Sequence, residues 1–252
     1  MYAKKSLGQN FIHDNNFIKK LSSAIKTSPQ ITIIEIGPGK GALTNELLKK
    51  EYKDLIAIEK DDSLIKSLRK LEFIGKNFKL IHDDALRVDY EELSNKNSII
   101  VGNLPFNISS QLLVKWIFNS KWPPSYNKMY LMFQKEVAER IVATHGNKKY
   151  GRLSIITQSR CVIRKLMIAK ASIFSPVPKV DGVVLELTPH NKHSNIDIKL
   201  LEKIVKQAFS QRRKKIKTNL KDYMEVLRKI GVDIELRPED IPVDIYCKMA
   251  TK

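Results

Sequence analysis

At 252 residues, 42% of them hydrophobic and 29% charged, the chain has material for one large domain, or a large and a small one, with a sizeable core. A net charge of +18 and a pI near 9.7 call for a polyanionic partner. Nucleic acid is favoured over an anionic membrane, because no long amphipathic basic helix stands out and no apolar run approaches the roughly 20 residues that cross a bilayer. The opening MYAKKSLGQNF has no apolar secretory segment. The two cysteines, Cys161 and Cys247, are too far apart in sequence for a CxxC pattern, so neither a disulfide framework nor a zinc site is expected. A reducing cytoplasm is the expected setting.

Taken in order, "ITIIEI" (31–36) is β-branched and reads as a buried strand, followed by Gly-Pro-Gly and the helical "KGALTNELLKK". "LIAIE" (55–59) is the next strand, and "DSLIKSLRKL" a helix that Asp61, Asp62 or Ser63 can cap. "FKLIHDD" (78–84), "SIIVGN" (98–103) and "KMYLMFQ" (128–134) are further strands, with helical stretches such as "SSQLLVKWIFNS" between them. This alternation predicts an α/β sheet, mostly parallel and covered on both faces. After Ile155 the pattern changes: "CVIRKLMIA" (161–169) and "GVVLELTP" (182–189) read as an antiparallel hairpin closing one sheet edge. The polar "HNKHSNID" (190–197) marks a boundary, and the segments beyond it are helix-like without strand character. The expected organisation is an α/β domain over 1–189 and a small all-helical domain over 190–252.

Between the first strand and helix, "IIEIGPGKGALT" places Gly37, Gly39 and Gly41 where a ligand can approach backbone closely. Alone this is a weak signal, and with Ala42 it even satisfies the G-x-G-x-x-A form of a dinucleotide fold. Glu59 ends the second strand about 20 residues on, where a carboxylate can accept ribose hydroxyls. Asp84 closes the third, where an acid can accept from an adenine amino group. A nicotinamide dinucleotide and S-adenosylmethionine both fit this set.

The residues after the fourth strand separate the two. Asn103-Leu104-Pro105-Phe106 suits methyl transfer to an adenine amino nitrogen, whose lone pair is delocalised into the ring. The Asn103 side-chain oxygen and the Leu104 carbonyl can accept its two N–H bonds and so localise that lone pair. Pro105 fixes the turn, and Phe106 offers a face for a base extruded from its stack. Catalysis would then rest on orientation and fixed dipoles rather than on a strong base.

With these residues assembled, the chain resembles the bacterial small-subunit (16S) rRNA adenine N6-dimethyltransferases nearly end to end. "KKSLGQNFIHD", "EIGPGKGALT", "NLPFNIS", "QKEVAERI", "YGRLSI", "FSPVPKVDGVV", "AFSQRRKKIKTNL" and "RPEDIPVDIYCKMA" carry the resemblance in order. It implies a Rossmann-like class I S-adenosylmethionine-dependent fold and four methyl transfers, without a metal, to two adjacent adenosines near the 3′ end of small-subunit rRNA. The implied partner is the immature small ribosomal subunit, with no membrane association and a monomeric enzyme. Position by position, Asn10 and Ile12 would contact the donor, Gly37 and Gly39 would line its loop, Glu59 would hold the ribose, and Asp84 would face the adenine. Asn103 would lie between donor and target.

Two departures stand out: Phe106 where bacterial members usually carry Tyr, and Gly182 where Ser is usual. Phe174, in "IFSPVPKV", is expected as a second aromatic wall around the base. The densest cationic run, "QRRKKIK" (211–217), supplies Arg212, Arg213, Lys214, Lys215 and Lys217 as expected rRNA-phosphate contacts. A macrolide-resistance large-subunit rRNA dimethyltransferase is the nearest alternative. A DNA adenine methyltransferase and a non-catalytic ribosome-assembly factor are more distant ones.

Overall fold

The computed structural model describes residues 4, 7–75, 77–118 and 121–251. Lys5 and Ser6 of the N-terminal motif, and Asn119 and Ser120 after the fourth strand's helix, lie outside the described residues. The strands in chain order are β1 (Phe11–Ile12), β2 (Thr32–Ile36), β3 (Asp54–Glu59), β4 (Phe78–His82), β5 (Ser98–Asn103), β6 (Tyr126–Gln134), β7 (Cys161–Ala169), β8 (Phe174–Ser175) and β9 (Gly182–Pro189). Seven of them form one sheet in the order β4-β3-β2-β5-β6-β9-β7, and β1 pairs with β8 in a separate two-stranded ribbon. β4, β3, β2, β5 and β6 run parallel, and β9 joins β6 antiparallel. All seven strands read from the sequence are present. The β1–β8 ribbon, two residues on each side, is too short for any periodicity to show.

Every residue of β2 is buried, as a strand covered on both faces requires. On one face Ile33, Leu55, Ala57, Ile99 and Val101 pack with Leu43, Leu47, Leu64 and Leu68 of the crossover helices. Ile18 and Leu21 on one face of the first helix, Asn15–Ala24, and Ile25 at its C-cap add to the same core. Asp61 supplies the cap of helix Asp62–Leu68, accepting the Ser63 N–H at 3.0 Å. The Gly182 departure has a steric account: a Cβ there would lie 3.0 Å from Met132 Sδ and 3.3 Å from the Ala169 Cβ.

The chain gathers into two compact units, Met1–Leu112 with Pro124–Lys135 and Arg164–Thr188, and Leu113–Pro123 with Glu136–Ile163 and Pro189–Lys252. In the second, the C-terminal helices do not close a core alone. Helix Ile198–Ala208 buries Leu201, Ile204, Val205 and Ala208 and packs against helix Arg152–Gln158, as does helix Val243–Met249. Elements this short need outside partners to exclude water. Trp122 packs within this unit, its indole N–H donating to the His190 carbonyl at 2.8 Å and the Arg160 guanidinium stacking 4.6 Å from its ring.

Candidate active site

β2 and β5 are neighbours where the strand order reverses, the place at which open α/β sheets bind ligands. Both strands end in the loops singled out from the sequence, and a cavity of about 210 Å³ is lined by both loops, by residues 7–12, by Glu59 and Lys60, and by residues 83–86. Asn10, Ile12, Gly37, Gly39, Glu59, Asp84, Asn103, Leu104, Pro105 and Phe106 are thereby brought to one cavity from separate stretches of chain.

The glycine loop is shaped by its left-handed positions, φ +63° at Gly37 and +60° at Gly39. A Cβ on Gly39 would sit 2.9 Å from the Phe11 ring, so glycine lets the N-terminal segment close over the loop. Lys40 places its ammonium 5.0 Å from the centroid of the same ring.

Glu59 is 6% exposed and held by backbone. Oε1 accepts the N–H groups of Lys60 and Asp61, both at 2.9 Å, and Oε2 accepts that of Gly39 at 3.1 Å. Of the roughly four lone-pair sites of a carboxylate, one at Oε2 remains for a ligand hydroxyl. Burial pushes this carboxyl up, the three N–H groups pull it back, and the Asp61 charge adds to the rise. Asp84 instead sits below the usual carboxylate range, chiefly because Lys60 lies 2.7 Å from its Oδ2; its Oδ1 accepts the Leu86 N–H at 2.9 Å.

The turn after β5 is fixed in two directions. Asn103 Nδ2 donates to the Asn10 carbonyl at 3.0 Å, which commits the amide's donor side and leaves Oδ1 with no partner among the described residues. The Pro105 carbonyl accepts the Ile108 N–H at 3.1 Å, turning the chain into the helix that begins at Ser109. Phe106 is half-buried, and its ring meets Phe174 edge-on, centroids 6.4 Å apart at 64°. Phe174 itself is 0% exposed and does not line the cavity. Register with β1 sets Ile12 opposite Phe174, and Phe174 meets the Phe106 ring where a second wall around the base was expected.

The cationic run divides. Arg212 Nε meets Glu239 Oε2 at 2.6 Å, and its terminal nitrogen donates to the Tyr150 carbonyl at 3.0 Å and to that of Lys148. Lys215 and Lys217 both pair with Glu235. Arg213 and Lys214 are exposed, with no polar side-chain partner among the described residues. Five equivalent phosphate contacts are therefore not what the fold offers, because a cation already holding a carboxylate must release it first.

One residue that pattern reading passed over is Glu35. It lines the cavity, is 2% exposed, and its Oε2 has no hydrogen-bond partner among the described residues. Burial pushes its carboxyl up to about 7, against the pull of the neighbouring Thr44 hydroxyl, with the Glu59 charge adding to the rise. The signal was present as the lone acid inside "ITIIEI". With Glu35, Glu59, Asp83 and Asp84 against Lys40 and Lys60, the cavity wall carries more acid than base in a chain where Lys and Arg outnumber Asp and Glu 45 to 27. That reversal suits a cationic ligand and opposes the pyrophosphate of a dinucleotide.

Comparison with known proteins agrees with this chemistry. Residues 1–251 match the family model described as ribosomal RNA adenine dimethylase. The ribosomal RNA small subunit methyltransferase A of Pelagibacter ubique is 41% identical over 252 residues, covering 98% of this chain and 95% of its own length. That of Bradyrhizobium diazoefficiens is 40% identical over 255 residues, covering 98% and 89%. The crystal structure of a dimethyladenosine transferase from Plasmodium falciparum superposes with a TM-score of 0.83 at 25% identity, covering 95% of each chain. Because the family match runs through both compact units, from the N-terminal segment to the last helix, the chain belongs to the ribosomal RNA adenine dimethylase family.

Proposed function

We propose that this protein uses S-adenosylmethionine to dimethylate N6 of two adjacent adenosines near the 3′ end of small-subunit rRNA. We take its substrate to be the immature small ribosomal subunit in the cytoplasm, as a step in ribosome biogenesis. The observation that carries this reading is Asn103: an amide whose donor side is committed to Asn10 and whose acceptor side is free, on the wall of an acid-rich, glycine-looped cavity.

When bound, S-adenosylmethionine supplies a methyl group made electrophilic by its sulfonium. Asn10, Ile12, Gly37 and Gly39 would hold this donor, the open site on Glu59 Oε2 would take a ribose hydroxyl, and Asp84 would accept from its adenine.

On the target side, Asn103 Oδ1 and the Leu104 carbonyl accept the two N–H bonds of the amine and localise its lone pair. The first methylation removes one N–H, so the second turnover needs only one of these acceptors. Phe106 stacks on the base, and the Tyr hydroxyl usual at this position is not needed for stacking. For Phe174 to serve as a second wall, its edge-on contact with Phe106 must open as the base enters. Residues 1–189 form the catalytic part in this reading, and 190–252 contact rRNA through Arg213 and Lys214, with Arg212 and Lys215 engaged internally.

The test offers labelled S-adenosylmethionine to under-methylated small subunits, large subunits and duplex DNA in parallel, and maps the modified adenosines. Label confined to two adjacent small-subunit adenosines is expected. Label on large subunits would instead favour the macrolide-resistance activity, and label on DNA would overturn an rRNA substrate.

A further inference from the structure

One wall of the cavity is not supplied by the seven-stranded sheet. Residues 7–12 line it as a strap, and only Phe11 and Ile12 are strand-paired, to β8. Toward its other end, the fastening converges on a single side chain. Asp61 Oδ2 accepts Gln9 Nε2 at 2.8 Å, and Oδ1 takes the Lys4 ammonium at 2.5 Å. Gln9 Oε1 in turn accepts the Lys4 backbone N–H at 2.8 Å, so Lys4, Gln9 and Asp61 form a closed triangle.

Capping does not explain this arrangement. The helix cap uses Ser63, whose N–H and hydroxyl reach Asp61 Oδ1 at 3.0 and 2.7 Å, and asparagine caps about as well as aspartate. Gln9 and Lys4 lie 52 and 57 residues away in sequence, on the strap, and they hold a carboxylate that is only 1% exposed. The Asp61 N–H meanwhile donates to Glu59 Oε1 at 2.9 Å. One residue thus fastens the strap and braces the carboxylate assigned to the ribose.

We infer that Asp61 is a positioning residue: through Gln9 and Lys4 it latches the N-terminal strap across the donor cavity, and donor entry and release require this latch to open. The inference rests on the reading of the cavity as the donor site. Burial opposes the charge on Asp61, yet Lys4, Gln9 and Ser63 together hold its carboxyl below the usual range, so the latch stays charged at physiological pH.

The test is an amide–carboxylate exchange in the full-length protein. Asp61→Asn keeps an N-cap and the N–H to Glu59, but it sets an amide N–H₂ against that of Gln9. Gln9→Glu sets two carboxylates against each other. The double variant restores a donor–acceptor pair with the roles reversed. Two readouts are taken: amide hydrogen exchange of residues 7–13 in ligand-free protein, and the release rate of S-adenosylhomocysteine by stopped flow. Each single variant is expected to speed both by roughly 10-fold or more, and the double variant to recover most of that loss.

Thermal melting should fall by a few degrees in each single variant, as the loss of the buried contacts to Lys4 and Gln9 requires, and recover in the double variant, with the cap retained throughout. Unchanged exchange in Asp61→Asn, or a double variant no better than the singles, would overturn the latch and leave Asp61 as a cap alone. If the wild-type protein bound no S-adenosylhomocysteine, the donor reading would fall, and the exchange of residues 7–13 would still judge the fastening by itself.

Discussion

The turn Asn103–Phe106 and the run Gln211–Lys217 were both conspicuous in the sequence, and the fold treats them in opposite ways. In the turn, each residue type restricts its own geometry: Pro105 fixes a backbone angle, and the amide of Asn103 has one donor side and one acceptor side. All four residues reach the cavity that the glycine loop also lines. The cationic run carries no such restriction. Its residues look alike in one dimension, and Glu239 and Glu235, far along the chain, decide which of them are occupied internally. Directional groups in a rigid turn are legible from sequence, whereas point charges on flexible stems are legible only in number.

The sharpest attempt to break this contrast is Asn103→Ala. If the side chain acts by accepting from the amine, single-turnover methyl transfer to small subunits should fall by about 100- to 1,000-fold, the range seen when one fixed dipole is removed from a transition state. Particle binding should persist, because the cations are untouched, and S-adenosylhomocysteine affinity should fall far less than turnover, by what the single hydrogen bond to the Asn10 carbonyl contributes, roughly 10-fold at most. Near-normal turnover would mean that the turn is no more decisive than the run.

Glu35 probes uncompensated charge on the cavity side. Its carboxyl is raised from 4.5 to about 7 by burial. Between those values the unfolded chain has lost the proton and the folded chain keeps it, so stability falls as pH rises through that window and levels off above 7. The full drop is roughly 3 kcal/mol. Denaturation midpoints of ligand-free wild type and Glu35→Gln at pH 5 and pH 8 should differ in slope by about that amount, with the variant gaining relative stability at the higher pH. Parallel pH dependence in the two proteins would remove Glu35 as a buried acid that holds its proton in the fold.

Much of the fold was legible because burial on both faces leaves a mark in composition. The β-branched runs at 31–36 and 98–103 are strands for the reason they looked like strands, and the order reversal between them puts both loops at one site. Other features were not legible, each for a physical reason. The β1–β8 ribbon is too short to show a period. Phe174 reads as a wall from its place in the loop "IFSPVPKV", but only the register opposite Ile12 and its edge-on contact with Phe106 show what it packs against. Glu35 was hidden because a single acid in an apolar run is ordinarily outvoted by its neighbours. The two-unit arrangement in which residues 136–163 join the C-terminal helices depends on tertiary burial that no local pattern encodes.

A smaller effect sharpens the other side of the contrast. Arg212→Ala removes a carboxylate partner and two carbonyl contacts, and with the side chain partly exposed this should cost about 1 kcal/mol in denaturant unfolding. Arg213→Ala should stay within about 0.5 kcal/mol of wild type, as for a surface residue without such contacts.

The smallest expected effect is the most diagnostic for the run itself. A cation that meets an rRNA phosphate releases condensed counterions, and each such contact contributes about 0.7 to 0.9 to the slope of log affinity against log salt. A cation that must first give up an internal carboxylate contributes less, since one ion pair is exchanged for another. Removing Arg213 and Lys214 together should therefore flatten the slope of small-subunit binding by about 1.5, measured between roughly 50 and 200 mM salt. Removing Lys215 and Lys217, both paired with Glu235, should change it by well under half as much. Equal flattening by the two double variants would mean that rRNA pulls Lys215 and Lys217 away from Glu235 and that the run acts as one undivided field.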